Sequence, residues 1–203
     1  MLELLSKGGI LVVPIVACSV LVLAIFLERC IRLALIRKRG KGIENQVVEQ
    51  VTAGEMSRAA TMARESQCPM GRVLDKAIEA RDMDAATQET LVVNATEQEV
   101  RGMSAHLQTL ATIGNIAPIL GLLGTIIGMI KAFMVIQEMG GKVNAAVLAG
   151  GIWEAMLTTA MGLSVALPAM LAHSYLCARV DAQESRLQNG LALVYKAMAR
   201  GKH

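Results

Sequence analysis

Three long stretches without a charge constrain this chain more than any other feature. Gly8 to Leu27 is a run of 20 such residues, Leu107 to Ile130 one of 24, and Ala155 to Ala178 another of 24. The hydrocarbon core of a bilayer is crossed by a helix of about 20 apolar residues. Glu154 immediately precedes the third run, and Val143 to Trp153, upstream of it, is again uncharged. The spacing predicts membrane spans at roughly 8–28, 108–136 and 145–176. The last two are longer than a membrane requires, so they tilt or project into water. One such run is compatible with a buried helix of a soluble protein, but three in 203 residues argue against it. Composition agrees: 54% of the residues are apolar and 18% charged, against about 25% charged in an ordinary soluble domain. The excess is aliphatic and small, because only 2% of the residues are aromatic.

Several classes are excluded on the same grounds. Disordered chains are poor in apolar residues. A net charge of +3, with the basic residues placed locally, does not suit nucleic-acid binding. Cys18, Cys30, Cys68 and Cys177 show no CxxC spacing and no matching histidine cluster, so no metal site or disulfide framework is expected. The first run also fits a cleaved leader, since Ile15-Val16-Ala17-Cys18 resembles a lipoprotein cleavage box. However, Glu3 offsets Lys7, and the apolar run continues nine residues past Cys18 into a basic cluster, which is a stop-transfer pattern. There is no GxSxG, HExxH, Walker loop or Rossmann glycine pattern. The chain is expected to be neither an enzyme nor a cofactor binder.

Orientation follows from the basic residues beside the spans. Arg29, Arg32, Arg37, Lys38, Arg39 and Lys41 follow the first span, Lys142 stands nearly alone between the second and third, and Arg179 and Arg186 follow the third. The expected layout is an all-α integral membrane protein: residues 1–28 with the N-terminus outside and the first span, a cytoplasmic helical region over 29–107, a second span at 108–136, an outer turn at 137–144, a third span at 145–176, and a cytoplasmic C-terminal helix over 177–203. The cytoplasmic region should break near Gly40–Gly42, at Gly54 and around Cys68–Gly71. Residues 82–100 have one weakly apolar face and are expected to continue the second span. Leu187, Leu191, Val194 and Met198 recur at helical spacing and extend the third.

Within the second span, Gly114, Pro118, Gly121, Thr125, Gly128 and Ala132 are spaced to share one face. Ala155, Thr159, Gly162, Ala166 and Ala169 form a similar stripe on the third, with Thr158 beside it. Small residues let helices approach closely in lipid, so Gly114, Pro118, Gly121, Gly128, Gly162 and Ala166 are read as packing positions. A threonine on such a face is explained equally by a bond to its own helix or by a narrow polar path. Glu154 is the most informative residue, because a charge in the membrane usually faces a cavity or a partner. It either projects into the interior or sits near the outer surface beside Trp153. Lys131 can snorkel outward or pair with Glu154. His106 and His173 read as boundary residues.

Two segments resemble the signatures of the ExbB/TolQ/MotA proton-channel family. They are Gly114-Asn-Ile-Ala-Pro-Ile-Leu-Gly-Leu-Leu-Gly-Thr125-Ile-Ile-Gly-Met-Ile in the second span and Gly151-Ile-Trp-Glu154-Ala-Met-Leu-Thr-Thr159-Ala-Met-Gly-Leu-Ser-Val-Ala-Leu-Pro168 in the third. The three-span layout is similar to the ExbB and TolQ branch rather than to four-span MotA-type stators. The resemblance implies a bacterial inner-membrane homopentamer around a central lumen. Single-span ExbD- or TolR-like helices would sit in that lumen and supply the proton-binding aspartate that this chain lacks. It assigns the path-lining positions to Thr125, Thr159 and Glu154, with Thr158 adding a hydroxyl where several members carry alanine. It further implies that proton-motive force is converted into mechanical work on a TonB-like protein, which opens outer-membrane transporters, or on a TolA-like protein of the Tol-Pal envelope system. A non-conducting helical scaffold in the lipid bilayer is the reading from a different class.

Overall fold

The computed structural model describes residues 11–138 and 145–200, with side chains from residue 148 onward in the last helix. Glu3, Lys7, Lys142 and most of the 137–144 turn lie outside the described residues. All regular structure among the described residues is helical: α1 (Val12–Arg39), α2 (Ile43–Thr52), α3 (Met56–Glu65), α4 (Pro69–Glu79), a single 3₁₀ turn at Ala80–Asp82, α5 (Ala85–Ser104), α6 (Leu107–Glu138) and α7 (Ala145–Arg200). Three helices, α1, α6 and α7, are long and apolar enough to cross a membrane. The chain divides into two compact units. One comprises residues 1–27 and 106–175, the other residues 28–105 and 176–203.

The membrane unit is built on glycine and alanine. Ala117, Ala132, Ala155, Ala166 and Ala169 are buried, as are Gly114, Gly121, Gly124 and Gly128, whereas Ile119, Leu122, Ile126 and Leu167 are exposed. Such a distribution fits a lipid surround, where large aliphatics need no shelter and close backbone approach supplies the packing. The α1 helix packs against another flank of α7. Between them lies a cavity of about 510 Å³ lined by Val22, Phe26, Val165, Pro168, Ala172 and Tyr175. The rings of Phe26 and Tyr175 meet edge-on, with centroids 6.4 Å apart.

The second unit has an ordinary core. Val47, Val51, Val73, Leu74, Val194 and Leu187 are buried, and α2 to α4 form short amphipathic helices around them. The breaks between these helices have local causes. The α2 helix ends in a Schellman arrangement, in which Gly54 N–H donates to Val51 O at 3.1 Å, Glu55 N–H donates to Gln50 O at 3.0 Å, and Gly54 takes φ +79°. Pro69 occupies the first turn of α4, capped by Cys68, whose Sγ accepts from the Gly71 N–H at 3.3 Å. Asp84 caps α5, its Oδ2 accepting the Thr87 N–H at 3.0 Å. That bond, first among several, holds the Asp84 carboxyl below the ordinary aspartate range. The Arg186 guanidinium joins α7 to the α1–α2 turn by donating to Gly40 O and to Glu44 at 2.8 Å.

The extension of the second span does not run as the sequence suggests. The α5 helix stops at Ser104. Ala105 turns to ψ 141° and His106 to φ +64° before α6 begins at Leu107. Histidine is among the few side chains that visit the left-handed region readily. The helices that run past their apolar stretches are instead α1, to Arg39, and α7, to Arg200. The α1 helix can continue because Arg29 is buried rather than solvated, with its Nε 2.7 Å from the Glu28 carboxylate and its Nη1 donating to Gly102 O at 3.3 Å. Gly102 lies in the last turn of α5, where carbonyls lack helical partners.

Candidate functional site

The close contact of α6 with α7 is antiparallel and is shown best by what a Cβ would meet at each glycine. At Gly121 it would lie 3.0 Å from the Thr159 Cα, at Gly128 2.9 Å from the Ala155 Cβ, at Gly162 2.6 Å from the Ala117 carbonyl oxygen, and at Gly114 3.0 Å from Met170. A Cβ at Gly124 would run into the Thr158 side chain. Real Cβ atoms essentially never come within 3.0 Å of such neighbours, so only glycine permits this backbone spacing at several of these sites. Ala166 is buried at the same contact.

The contact line is rotated from the stripe read off the sequence. It runs through Gly114, Ala117, Gly121, Gly124, Gly128 and Ala132, which leaves Pro118 and Thr125 half-buried at its edge. On α7 the buried residues are Ala155, Thr158, Gly162, Ala166 and Ala169, with Thr159 half-buried beside them. Thr158, expected to line a path, is only 2% exposed. Its methyl packs beneath Gly124 and its hydroxyl donates to Glu154 O at 2.9 Å, so within the subunit it is a packing residue. Ala117 and Gly124 are contact residues that the sequence stripe leaves out. The signal for them was their own small size, one step beside the positions chosen.

Thr125 and Thr159 each stand one residue past the contact line on antiparallel helices, and helical geometry then puts both on the same side of the contact. The Thr159 hydroxyl crosses between helices and donates to Gly121 O at 2.9 Å. The Thr125 hydroxyl donates to Leu122 O at 2.7 Å. Each hydroxyl has thereby used its proton and keeps lone pairs that can accept. This side of the helix pair can receive hydrogen bonds from water, hydronium or a protonated carboxyl.

Glu154 is elsewhere. Five residues separate it from Thr159, which is about 140° around the helix. It shares its azimuth instead with Ala172, eighteen residues on, which faces α1 across the cavity. Its side chain is half-buried. Among the described residues neither Glu154 nor Lys131 is in a salt bridge, so the cross-helix pair open to them from sequence does not form. No group of three or more histidine, cysteine or acidic residues gathers as metal ligands among the described residues.

Three long apolar helices, two of them held together by glycine and bearing two hydroxyls on one flank, define a helical membrane protein with a polar seam. Residues 65–189 match the model of the MotA/TolQ/ExbB proton channel family. Similar proteins include the putative biopolymer transport protein ExbB-like 3 of Synechocystis sp., 31% identical over 169 residues (81% of this chain and 79% of that protein). Biopolymer transport protein exbB1 of Vibrio cholerae is 27% identical over 195 residues (95% and 86%). The Tol-Pal system protein TolQ of Haemophilus influenzae is 36% identical over 96 residues (47% and 41%). The chain belongs to the MotA/TolQ/ExbB proton channel family.

Proposed function

We propose that this chain is the ExbB-like subunit of a proton-motive-force-driven motor in the bacterial inner membrane. Its N-terminus is periplasmic and its C-terminus cytoplasmic. On this reading five copies surround a lumen that holds ExbD-like single-span partners, and the assembly energises a TonB-like protein for outer-membrane transport. The chain itself performs no enzymatic step. The observation that carries the proposal is the pair of hydroxyls, Thr125 and Thr159, on one side of the glycine contact between α6 and α7. That side forms the lumen wall. A protonated aspartate of the partner donates to these hydroxyls as it passes, because both can still accept. One charge moving through 100 mV releases about 2.3 kcal/mol, enough to bias the partner helices between neighbouring subunits. Glu154, nearer the outer end and on another flank of α7, serves as the acidic group at the mouth of the path, while Thr158 is buried beneath Gly124.

The ExbB-like branch is favoured over the TolQ-like one because the alignment to exbB1 spans 95% of the chain and that to TolQ 47%. The scaffold reading retains one supporting observation, since all three threonine hydroxyls are satisfied by backbone carbonyls. The test is native mass spectrometry of the full chain purified with a one-span, aspartate-bearing membrane protein encoded beside it. Five copies of this chain with the partner retained is the expected result. A monomer or dimer, or a pentamer that never retains the partner, contradicts it.

A further inference from the structure

The proposed proton path makes no use of the cavity between α1 and α7. This space of about 510 Å³ lies wholly within the membrane unit. Both of its walls end on the edge-on pair of Phe26 and Tyr175, so the two helices run in the same direction along it. The α7 wall, from Ser164 to Tyr175, rises about 16 Å, which is half of a hydrocarbon core of roughly 30 Å. The slot opens sideways. Leu23 and Leu171 line it, one on each helix, and are 59% and 71% exposed on the surface that meets lipid.

Left empty, a space of this size forfeits packing contacts along its whole lining. Water does not fill it, because a buried water needs two to four polar partners. The Ser164 hydroxyl already donates to Met161 O at 2.8 Å, and the side chains of Val22, Leu23, Phe26, Val165 and Leu171 offer none. A transmembrane helix about 10 Å across would need more than twice the volume over the same length. A single side chain from a neighbouring helix is too short for a slot of about 16 Å. An extended hydrocarbon chain is long, thin and apolar enough.

We propose that this slot holds one acyl chain of a bilayer phospholipid, from the leaflet on the Phe26–Tyr175 side, with its terminal methyl toward Ser19 and Ser164. The ring pair stands at the edge of the apolar stretch, since Leu27 is the last residue of the first charge-free run. Amphipathic rings mark the lipid interface at such a position. The headgroup stays outside the slot, so binding is indifferent to its charge. The lipid chain completes the α1–α7 contact that the protein's own side chains leave open.

The test extracts the full chain from membranes in mild detergent, washes it in a delipidating one, and counts retained phospholipids per chain by native mass spectrometry. One phospholipid per chain is the expected result, with phosphatidylglycerol and phosphatidylethanolamine held in proportion to their abundance in the membrane. Ala172→Phe and Ser19→Phe each fill the slot and should lower retention at least fivefold. Leu122→Phe, on the exposed face of α6, should leave it unchanged. Should Ala172→Phe fail to fold, Ser19→Phe at the rim carries the comparison. No retained lipid on the unaltered chain, unchanged retention in the folded filling variants, or retention that follows headgroup charge overturns the proposal. The count is made per chain, so it is read independently of the copy number of the assembly and of the proton path.

Discussion

The two units of this chain are held together in opposite ways. In the membrane unit the contact of α6 with α7 buries mainly glycine, alanine and threonine, and Ile119, Leu122, Ile126 and Leu167 face outward. In the second unit valine, leucine and methionine are buried, and the outside is a set of carboxylate–guanidinium pairs. The difference follows from the solvent each unit meets. Water drives large apolar groups inward, whereas lipid gives them no such drive and leaves backbone proximity and hydrogen bonds to stabilise the contact. Single tight glycines such as Gly71 and Gly190 occur in the second unit too, but a row of them along one helix contact is found at α6 and α7. A Cβ on Gly162 would run into the α6 backbone at Ala117 and Gly121, while one on Gly102 in α5 would meet nothing within 4 Å.

The sharpest way to break this comparison is to exchange what each unit depends on. Gly162→Leu should have the largest effect. Its Cβ would lie 2.6 Å from the Ala117 carbonyl oxygen, and overpacking of this kind costs about 1–3 kcal/mol or more. The expected outcome is loss of the well-folded peak on size exclusion in detergent. Gly102→Ala, by contrast, should leave thermal stability unchanged or raise it, since helix propensity favours alanine by about 1 kcal/mol. If both substitutions were tolerated alike, the glycine contact would not be what holds α6 to α7.

Next in size is Arg186→Met. It leaves the Glu44 carboxylate and the Gly40 carbonyl without this donor, for an expected loss of about 2 kcal/mol in chemical denaturation of the second unit. The smallest effect concerns pH. The Asp84 carboxyl is held below its ordinary range by the Thr87 N–H. Its contribution is present above the unfolded-state value and disappears as pH falls through the folded-state value. Asp84→Ala should therefore lower the melting temperature at neutral pH and flatten its decline on acidification. An unchanged acid profile would show that the cap carries none of the pH dependence.

Most of the architecture is legible in the sequence, for reasons that also explain the exceptions. Charge-free runs mark the three long helices because a bilayer tolerates few charges. Gly54 and Pro69 mark turns because their backbones suit few alternatives. The break at Ala105–His106 carries no glycine or proline and leaves no such mark. The length of α1 was hidden by Glu28 and Arg29, which look like the polar end of a span although Arg29 is in fact buried against Gly102 O. At the candidate site, residues 117 and 118, 124 and 125, and 158 and 159 are pairs of small or hydroxyl side chains. Small-residue periodicity alone cannot choose between members of such a pair. Only the packed helices separate Thr158, which is buried, from Thr159, which reaches Gly121 from the edge.

That separation leads to the most direct test of the account. Its central claim is that the Thr125 and Thr159 side of the α6–α7 pair forms the proton path. The measurement is proton-motive-force-dependent uptake through an outer-membrane transporter in cells carrying T125V/T159V or Glu154→Gln, beside Thr158→Ala, with assembly checked for each. The account predicts at least a tenfold loss of uptake for the first two with normal assembly, and near-normal uptake for Thr158→Ala. Full uptake by a normally assembled T125V/T159V chain would contradict it.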